Sequence, residues 1–155
     1  MVRPASARDG ARAIEVVRRS ITLLCEPDHR NDPATLGRWL ANKTPESFAA
    51  WLSNPDNFCV VAEAGGEIQG VGLVHRSGEL RLFYVAPGHA RQGFGRSIHE
   101  ALVTHARSWG LTEIHLESTS VARQFYESLG YRSAGPQKPM FGVLQAYPYV
   151  KDIAA

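Results

Sequence analysis

The first segment whose residue types and spacing suit chemistry runs from 83 to 96. An apolar run ends there, a loop with three glycines follows, and a helical pattern begins directly after Gly93 and Gly95. The first N–H groups of a helix have no partner within the helix and carry partial positive charge, and glycine lets a ligand come close to the main chain. The segment therefore predicts a cradle for an anion such as a pyrophosphate, with N–H groups from residues 92–96.

This glycine pair differs from the two commonest nucleotide-binding loops. A Walker loop needs a Gly-Lys-Ser/Thr sequence, which does not follow here. A dinucleotide fingerprint needs a second half that is missing, and it follows a strand of a parallel sheet, whereas the runs before this loop predict an antiparallel one. Taken alone, Gly-x-Gly is also typical of an ordinary tight turn, so the cradle needs support from elsewhere in the chain.

The second segment, residues 117–131, leads from a predicted strand into a short predicted helix. Phe125 and Leu129 have the spacing of core residues in that helix. Tyr126 combines an apolar ring with a polar hydroxyl, so it is either an amphipathic packing residue or a group that takes part in chemistry.

Hydrophobic periodicity and turn residues predict the elements of the first half that must position these segments. An amphipathic helix, a polar loop, and one or two short helices are expected over residues 7–24, 25–34 and 34–53. Thr44 has the chemistry of a helix cap, with Pro45 in the first helical position.

Three apolar runs joined by tight turns predict an antiparallel meander over residues 58–62, 68–75 and 80–85. Gly70 and Gly72 in the second run indicate a bulge or a close approach of another part of the chain.

The second half changes to an alternation of helices and strands. We expect a helix at 96–109, a strand at 112–117, a helix at 120–129, and extended segments at 131–135 and about 142–150. A strand–helix–strand unit places strands 80–85 and 112–117 parallel, with a right-handed crossover. The pattern predicts a mixed α/β (α+β) fold, in which a single central mixed sheet of about six to seven strands is flanked by helices, in one domain spanning residues 1–155.

Composition excludes several functional classes. The chain has 155 residues, 44% hydrophobic and 21% charged, and no apolar run approaches the length of a membrane span. Its 17 basic residues are scattered and the net charge is only +2, so we expect no nucleic-acid partner. Cys25 and Cys59 cannot form a disulfide framework, and the N-terminus has no secretory pattern, so we expect a cytoplasmic protein.

Together, the two segments resemble the GNAT superfamily of N-acetyltransferases in residue order and spacing. The matching positions are Val85, Pro87, Gly93, Gly95, Ala122, Phe125, Tyr126, Gly130 and Tyr131. The chain departs from the family at Ala90, where Gln or Arg is usual, and at Thr119, where Asn is frequent. Both departures change side chains, and neither removes a backbone donor from the loop.

The resemblance implies a fold and a reaction. Acetyl-CoA would donate its acetyl group directly to a primary amine in a ternary complex. The pyrophosphate would lie on residues 91–96, and strand 80–85 would pair with the amide-bearing arm of the donor. The implied cofactor-binding residues are Tyr84, Val85, Arg91, Gln92, Gly93, Phe94, Gly95, Arg96, Ser97 and Tyr126.

The resemblance also implies roles at the reacting centre. The Val85 N–H would stabilise the negative charge that develops on the thioester oxygen. Tyr126 would act as the general acid that protonates or hydrogen-bonds the departing thiolate.

A general base is needed because an alkyl ammonium, with a pKa near ~10.4, must lose a proton before it attacks. Four residues on or beside the central strands qualify, and for each a solvated strand residue is the alternative: Glu79, Glu117, His75 and His115. We favour Glu117 and Glu79 as catalytic residues, with a chain of water molecules as another possibility.

The acceptor is expected to be a small-molecule or peptide amine. The loop at 25–32 would contribute Asp28 and His29 as substrate-binding residues that suit a cationic amine, although a plain polar loop has the same composition. Residues 136–149 would wall the acceptor pocket or form a subunit contact in a monomer or homodimer. The spacing of Cys and His residues does not fit zinc, so no metal is expected.

Two other functions remain open on the sequence. The chain could be a degenerate fold of this type that binds coenzyme A without turnover, as a sensor or interaction module. It could also be a nucleotide-binding module, which would bind ATP or NAD.

Overall fold

The structure is a computed structural model that describes residues 1–88 and 93–154. A short strand and a single 3-10 turn open the chain, and four helices follow. These elements are β1 (Val2–Pro4), the turn Ala7–Asp9, α1 (Gly10–Leu24), α2 (Glu26–His29), α3 (Pro33–Leu40) and α4 (Pro45–Ser53).

The central meander and a long helix form the middle of the chain, and shorter elements complete it. These elements are β2 (Asn57–Ala64), β3 (Glu67–His75), β4 (Leu80–Val85), α5 (Phe94–Ser108), β5 (Glu113–Ser118), α6 (Arg123–Ser128), β6 (Arg132–Ser133), β7 (Lys138–Phe141) and β8 (Leu144–Asp152). None of the described residues belongs to a helix long and apolar enough to cross a membrane.

Local sequence explains where the short helices begin. The Thr44 side chain accepts the N–H of Ser47 at 3.1 Å, with Pro45 in the first turn, so the predicted cap is confirmed. Asp32 caps α3 in the same way by accepting the N–H of Thr35 at 3.0 Å. Capping satisfies N–H groups that a helix start leaves without partners.

The strands form two antiparallel sheets. One has the order β1-β2-β3-β4, and the other has the order β5-β8-β6, with β7 also paired to β8. A parallel bridge between Glu79 and His115 joins the sheets, and there the His115 N–H donates to the Gly78 carbonyl at 3.0 Å. The mixed α/β fold is therefore confirmed, with a parallel relation at the predicted strand pair. The strands form two antiparallel sheets, where the sequence predicted a single mixed sheet, because only one bridge joins them before they separate.

The sheets divide the core into two clusters. Helix α1 packs on the β2–β4 sheet through residues such as Val17 and Ile21, which are fully buried. Helix α5 packs on the other face of that sheet, in a cluster that also contains residues of β5 and β8. A Cβ on Gly70 would lie 2.7 Å from Ile98 Cδ1, and one on Gly72 would overlap the same side chain. The expected close approach at these glycines is α5 itself.

Helix α5 also buries a histidine. His99 is 6% exposed, and its Nε2 lies 2.8 Å from the Tyr131 hydroxyl. Burial, together with the charge of Lys151, lowers the pKa of His99 from 6.5 to about 4. The ring is therefore neutral in the fold at neutral pH.

We predict that His99 contributes an acid-sensitive part of the stability. The unfolded residue takes up a proton below pH 6.5, whereas the buried ring resists protonation down to about pH 4. The contribution of His99 to the free energy of unfolding should therefore be fully present above pH 6.5. It should fall by at most about 3 kcal/mol between pH 6.5 and 4. Urea unfolding of the parent and of His99→Gln at pH 7.5, 6 and 4.5 measures this: the variant should lack this fall.

The matched control is His115→Gln, which removes a histidine whose side chain is exposed. It should keep the pH dependence of the parent. An equal pH dependence in the parent and His99→Gln would contradict the prediction.

Candidate active site

The two sheets separate beyond the Glu79–His115 bridge, and a cleft of about 410 Å³ lies between β4 and β5. Its walls are β4, the end of β5 with the following loop, the first turn of α5, helix α6 and the end of α1. Parallel strands that are bridged at one end and then separate leave backbone N–H and C=O groups unpaired on their facing edges. An extended ligand with amide groups can pair with such an edge.

The backbone of β4 places one N–H at this open edge. The N–H of Ala86 donates to the Gln69 carbonyl of β3 at 2.8 Å. Successive N–H groups along a strand point to opposite sides, so the N–H of Val85, which is paired in register with Gly70, points away from β3. Val85 and its neighbour Tyr84 both line the cleft, and their role in binding the donor stays a prediction.

Tyr126 forms part of the opposite wall. Its side chain is 6% exposed and lies edge-on to Phe83 and Tyr131, with ring centroids 5.9 and 5.5 Å away. Within residues 1–88 and 93–154, no hydrogen bond is made by the Tyr126 hydroxyl. Burial raises the pKa of Tyr126 well above its usual value, so the hydroxyl keeps its proton.

The glycine segment meets the cleft at the start of α5. Gly93 has φ +82° in the position before the helix, a left-handed conformation that favours glycine. Gly95 lines the cleft, where an added Cβ would lie 2.9 Å from Phe125 Cζ. Arg91 and Gln92, which the sequence placed in the cradle, lie outside the described residues, as does Ala90.

The remaining residues of this segment have different surroundings. Phe94 is half-buried against the core beneath α5. The Arg96 guanidinium donates to Ser128 Oγ at 3.3 Å and so links the start of α5 to α6. Ser97 faces a shallow depression outside the cleft, and its N–H donates to the Gly93 carbonyl at 3.1 Å. This placement favours a helical role for Ser97 over the predicted cofactor contact.

A second cleft of about 380 Å³ opens on the other side of the same gap. The two clefts share lining residues from β4 and from the β5 end: Leu80, Arg81, Tyr84, Glu117, Ser118 and Thr119. They therefore meet where β4 and β5 diverge, and a molecule in one would contact a molecule in the other at this point.

The two carboxylates predicted as bases differ in position. Glu117 lines both clefts, and its Oε1 forms an ion pair with Lys138. Glu79 lines only the second cleft, with its Oε1 2.5 Å from Arg81 Nε. The other two candidates lie outside both clefts: His115 is exposed, and His75 Nδ1 is 2.9 Å from Ser77 Oγ.

Asp28 and His29 do not line either cleft. The Asp28 carboxylate is 7% exposed and accepts the N–H groups of Ser120 at 2.7 Å and Val121 at 3.4 Å. It thereby ties helix α2 to the loop that precedes α6. This geometry favours a structural role for Asp28 in place of the predicted acceptor contact.

His29 is fully buried beneath α1. Its Nδ1 accepts the N–H of Asn31 at 3.0 Å, so the proton is on Nε2, which donates to the Ile21 carbonyl at 3.0 Å. With both nitrogens engaged inside the fold, His29 has no atom available to a substrate. The one-turn helix α2 turns both residues inward, which a polar loop composition does not reveal.

The structure adds cleft residues that the sequence did not single out. Cys25 lines the first cleft at 4% exposure, and burial raises the pKa of its thiol to about 12, so it is a neutral lining group. Arg38 and Lys43 line the second cleft. The spacing of these residues carries no chemical signal, because Cys25 follows α1, Arg38 lies on α3 and Lys43 lies between α3 and α4, and only the fold brings these elements to the clefts. Within the described ranges, no group of three or more His, Cys, Asp or Glu side chains is arranged to hold a metal ion.

Comparison with known proteins identifies a family that matches the sequence and solved structures that share the fold. A family model described as an acetyltransferase (GNAT) domain matches residues 27–152. The search of curated proteins finds no match to the sequence.

Solved structures share the fold over nearly the whole chain. A GCN5-related N-acetyltransferase from Rhodopseudomonas palustris has a TM-score of 0.86 at 20% identity, covering 98% of this chain and 94% of that chain. A PaiA N-acetyltransferase from Thermoplasma acidophilum, in complex with coenzyme A, has a TM-score of 0.79 at 19% identity, with 98% of each chain covered. An aminoglycoside 6'-N-acetyltransferase from Enterococcus faecium has a TM-score of 0.73 at 16% identity, covering 100% of this chain and 98% of that chain.

The Asp28 contacts lead to a stability prediction. In Asp28→Asn the side chain keeps its shape but loses its charge and one of its two acceptor oxygens. The free energy of unfolding should fall by about 1–3 kcal/mol, because a partly buried N–H of the loop loses its partner. Urea unfolding at pH 7.5 measures the change.

The exposed Asp56→Asn is the matched control and should change the free energy of unfolding by less than about 0.5 kcal/mol. A stable Asp28→Asn variant with altered recognition of an amine substrate would instead restore the acceptor-binding role.

Proposed function

Because this chain belongs to the GNAT acetyltransferase family, we propose that it is an N-acetyltransferase that uses acetyl-CoA and acetylates a primary amine. The observation that carries the proposal is the cleft where β4 and β5 diverge, with the Val85 N–H pointing away from β3 on one wall and the hydroxyl of the largely buried Tyr126 on the other. The second cleft supplies a separate place for the amine, as direct transfer in a ternary complex requires.

The residues on this wall fit the donor. Gly95 leaves room beside Phe125 that a Cβ would fill, and the open edge of β4 suits the amides of an extended arm. We assign the diphosphate to the start of α5, at Gly93, Gly95 and Arg96, together with Arg91 and Gln92. The phosphates are then met by backbone N–H groups and a few arginines.

The donor supplies an activated acetyl group: the amine nitrogen bonds to the acetyl carbon, the carbon–sulfur bond breaks, and its electron pair goes to sulfur. The Val85 N–H donates toward the carbonyl oxygen, where negative charge develops. Tyr126 donates its proton to the sulfur. A thiol has a pKa near ~8.5, so the demand on this acid is modest at neutral pH.

We assign the role of general base to Glu117, which would remove a proton from the ammonium before attack, since it lines both clefts at their meeting point. Its Oε1 forms an ion pair with Lys138. Glu79 lines only the second cleft and pairs with Arg81, so we rank it second. A chain of water molecules is the third candidate for the base.

The proposed function is tested by measuring thiol release from acetyl-CoA with a panel of primary amines, alongside calorimetric binding of coenzyme A. We expect amine-dependent release. Tight binding of coenzyme A without turnover on any amine would favour the non-catalytic module. Binding of ATP or NAD that coenzyme A cannot displace would favour the nucleotide-binding module.

We predict that Tyr126→Phe lowers kcat by roughly ten- to a hundredfold, at the lower end of general-acid effects because the thiolate is a good leaving group. The affinity for coenzyme A should change little, since the ring and its packing remain. Thiol-release kinetics from pH 6.5 to 9.5 measure the effect. The control is Tyr147→Phe, which removes a hydroxyl outside both clefts. An unchanged rate for Tyr126→Phe across this pH range would exclude the general-acid role.

The variants Glu117→Gln and Glu79→Gln distinguish the two carboxylates as candidates for the general base. We expect Glu117→Gln to lower kcat by about a hundredfold at pH 7, where the amine arrives protonated, and Glu79→Gln to lower it less than threefold. The loss in Glu117→Gln should shrink toward pH 10, because the free amine then forms without a base. Parallel pH–rate profiles for the parent and Glu117→Gln would leave Glu79 or water as the base.

A further inference from the structure

The second cleft has a lysine whose charge is not neutralised. Lys43 is 9% exposed, and its Nζ donates to Asn42 Oδ1 at 2.7 Å and to the Trp39 carbonyl at 3.4 Å. Over the described ranges, no carboxylate lies within ion-pair distance of this ammonium. Burial lowers the pKa of Lys43, which shows the cost of holding the charge there. An anion in the cleft would remove that cost.

A second cation lies on the same wall. The Arg38 guanidinium is held 5.0 Å from the centroid of the Phe141 ring, and both residues line the cleft. Like Lys43, it has no carboxylate partner in the part of the chain that the structure describes. The remaining cation of the cleft, Arg81, is already paired with Glu79. Two cations are therefore available to a ligand, and both are fixed by packing.

The charges are arranged along the cleft. Glu117 lies at the end shared with the first cleft, whereas Arg38 and Lys43 line only the second. A ligand that fills the second cleft meets Glu117 where the two clefts meet, and Arg38 and Lys43 on the part of the lining that the first cleft does not share. A molecule with several positive charges would be repelled by Arg38 and Lys43.

We propose that the acceptor is a small amine that also carries a carboxylate, as amino acids and dipeptides do, with the amine at Glu117 and the carboxylate at Lys43 and Arg38. This inference rests on the proposed function and names its substrate class. Arg38 donates in a planar fork that suits carboxylate geometry, and Lys43 supplies a buried point charge. The volume of about 380 Å³ has room for a molecule of this size.

The test compares amines that differ only at the proposed anchor. Glycine, L-glutamate, L-phenylalanine and glycylglycine are assayed as free acids and as their C-terminal carboxamides, by thiol release from acetyl-CoA. An α-carboxamide lowers the pKa of its amine, so reactivity alone favours the amides at pH 7.5. We expect the opposite order for at least one pair, with kcat/KM about tenfold or more higher for the acid. 2-Aminoethyl phosphate against ethanolamine shows whether a phosphate can replace the carboxylate.

Two variants test whether Lys43 and Arg38 bind the carboxylate of the acceptor. Lys43→Met replaces the buried ammonium with an apolar chain of similar length, and Arg38→Gln changes an exposed residue, so at least the second should fold normally. Each should raise KM for the preferred acid by about tenfold, the effect of losing one charge-assisted hydrogen bond, and leave kcat and the amide's KM unchanged. Arg19→Gln, an exposed arginine on α1 outside both clefts, is the matched control.

Equal kcat/KM values for acids and amides, or a preference for amides that neither variant alters, would overturn the inference. If acetyl-CoA binds but no amine is acetylated, the proposed function fails, and the same pairs are then measured as ligands by calorimetry on the protein saturated with coenzyme A. Tighter binding of the acids that is lost in Lys43→Met and Arg38→Gln supports the anionic subsite by itself. Equal binding of acids and amides overturns it.

Discussion

The bridge between Glu79 and His115 is the contact on which the site depends. It fixes β4 parallel to β5 at one point, and beyond it each strand belongs to its own antiparallel sheet. Backbone groups along a strand need partners, so the exposed edge of β4 is open to a ligand that can pair like a neighbouring strand. The same divergence opens a cleft on each side, and Glu117 stands where the clefts meet.

Packing on both sides keeps the strands apart. Gly70 and Gly72 bring α5 directly onto β3, and this fixes where the helix start with Gly95 meets the first cleft. On the other side, the buried carboxylate of Asp28 ties α2 to the loop before α6, the helix that carries Tyr126. Both hydrophobic clusters include residues of the β1–β4 sheet, and the cluster under α5 also contains residues of β5 and β8, so the two sheets share a core on one side of the gap. Residues with no chemical role of their own thus position those at the centre.

The charges of the protein differ between the proposed diphosphate site and the second cleft. The net charge of +2 is small for a protein that we propose binds a diphosphate, because a helix start supplies uncharged donors for phosphate oxygens. The second cleft is instead lined by Arg38 on α3 and by Lys43 in the connection from α3 to α4, where nothing described in the fold neutralises them. The aminoglycoside and PaiA acetyltransferases share this fold at 16% and 19% identity. Shared architecture by itself sets no acceptor, and we propose that the charges of this cleft do.

Local pattern in the sequence determined the meander, the helix starts at Pro45 and near Gly95, the parallel relation of β4 to β5, and the family. These features depend on periodicity, caps and motif spacing, which neighbouring residues along the chain encode. Only the tertiary structure decided that Asp28 and His29 point inward, that Ser97 lies outside the cleft, and that Arg38, Lys43 and Glu117 line one cavity. These facts depend on contacts between residues far apart in the sequence, such as the 92 positions between Asp28 and Ser120. A pattern of residue types shows where polar side chains lie along the chain. Tertiary packing determines which group each of them contacts.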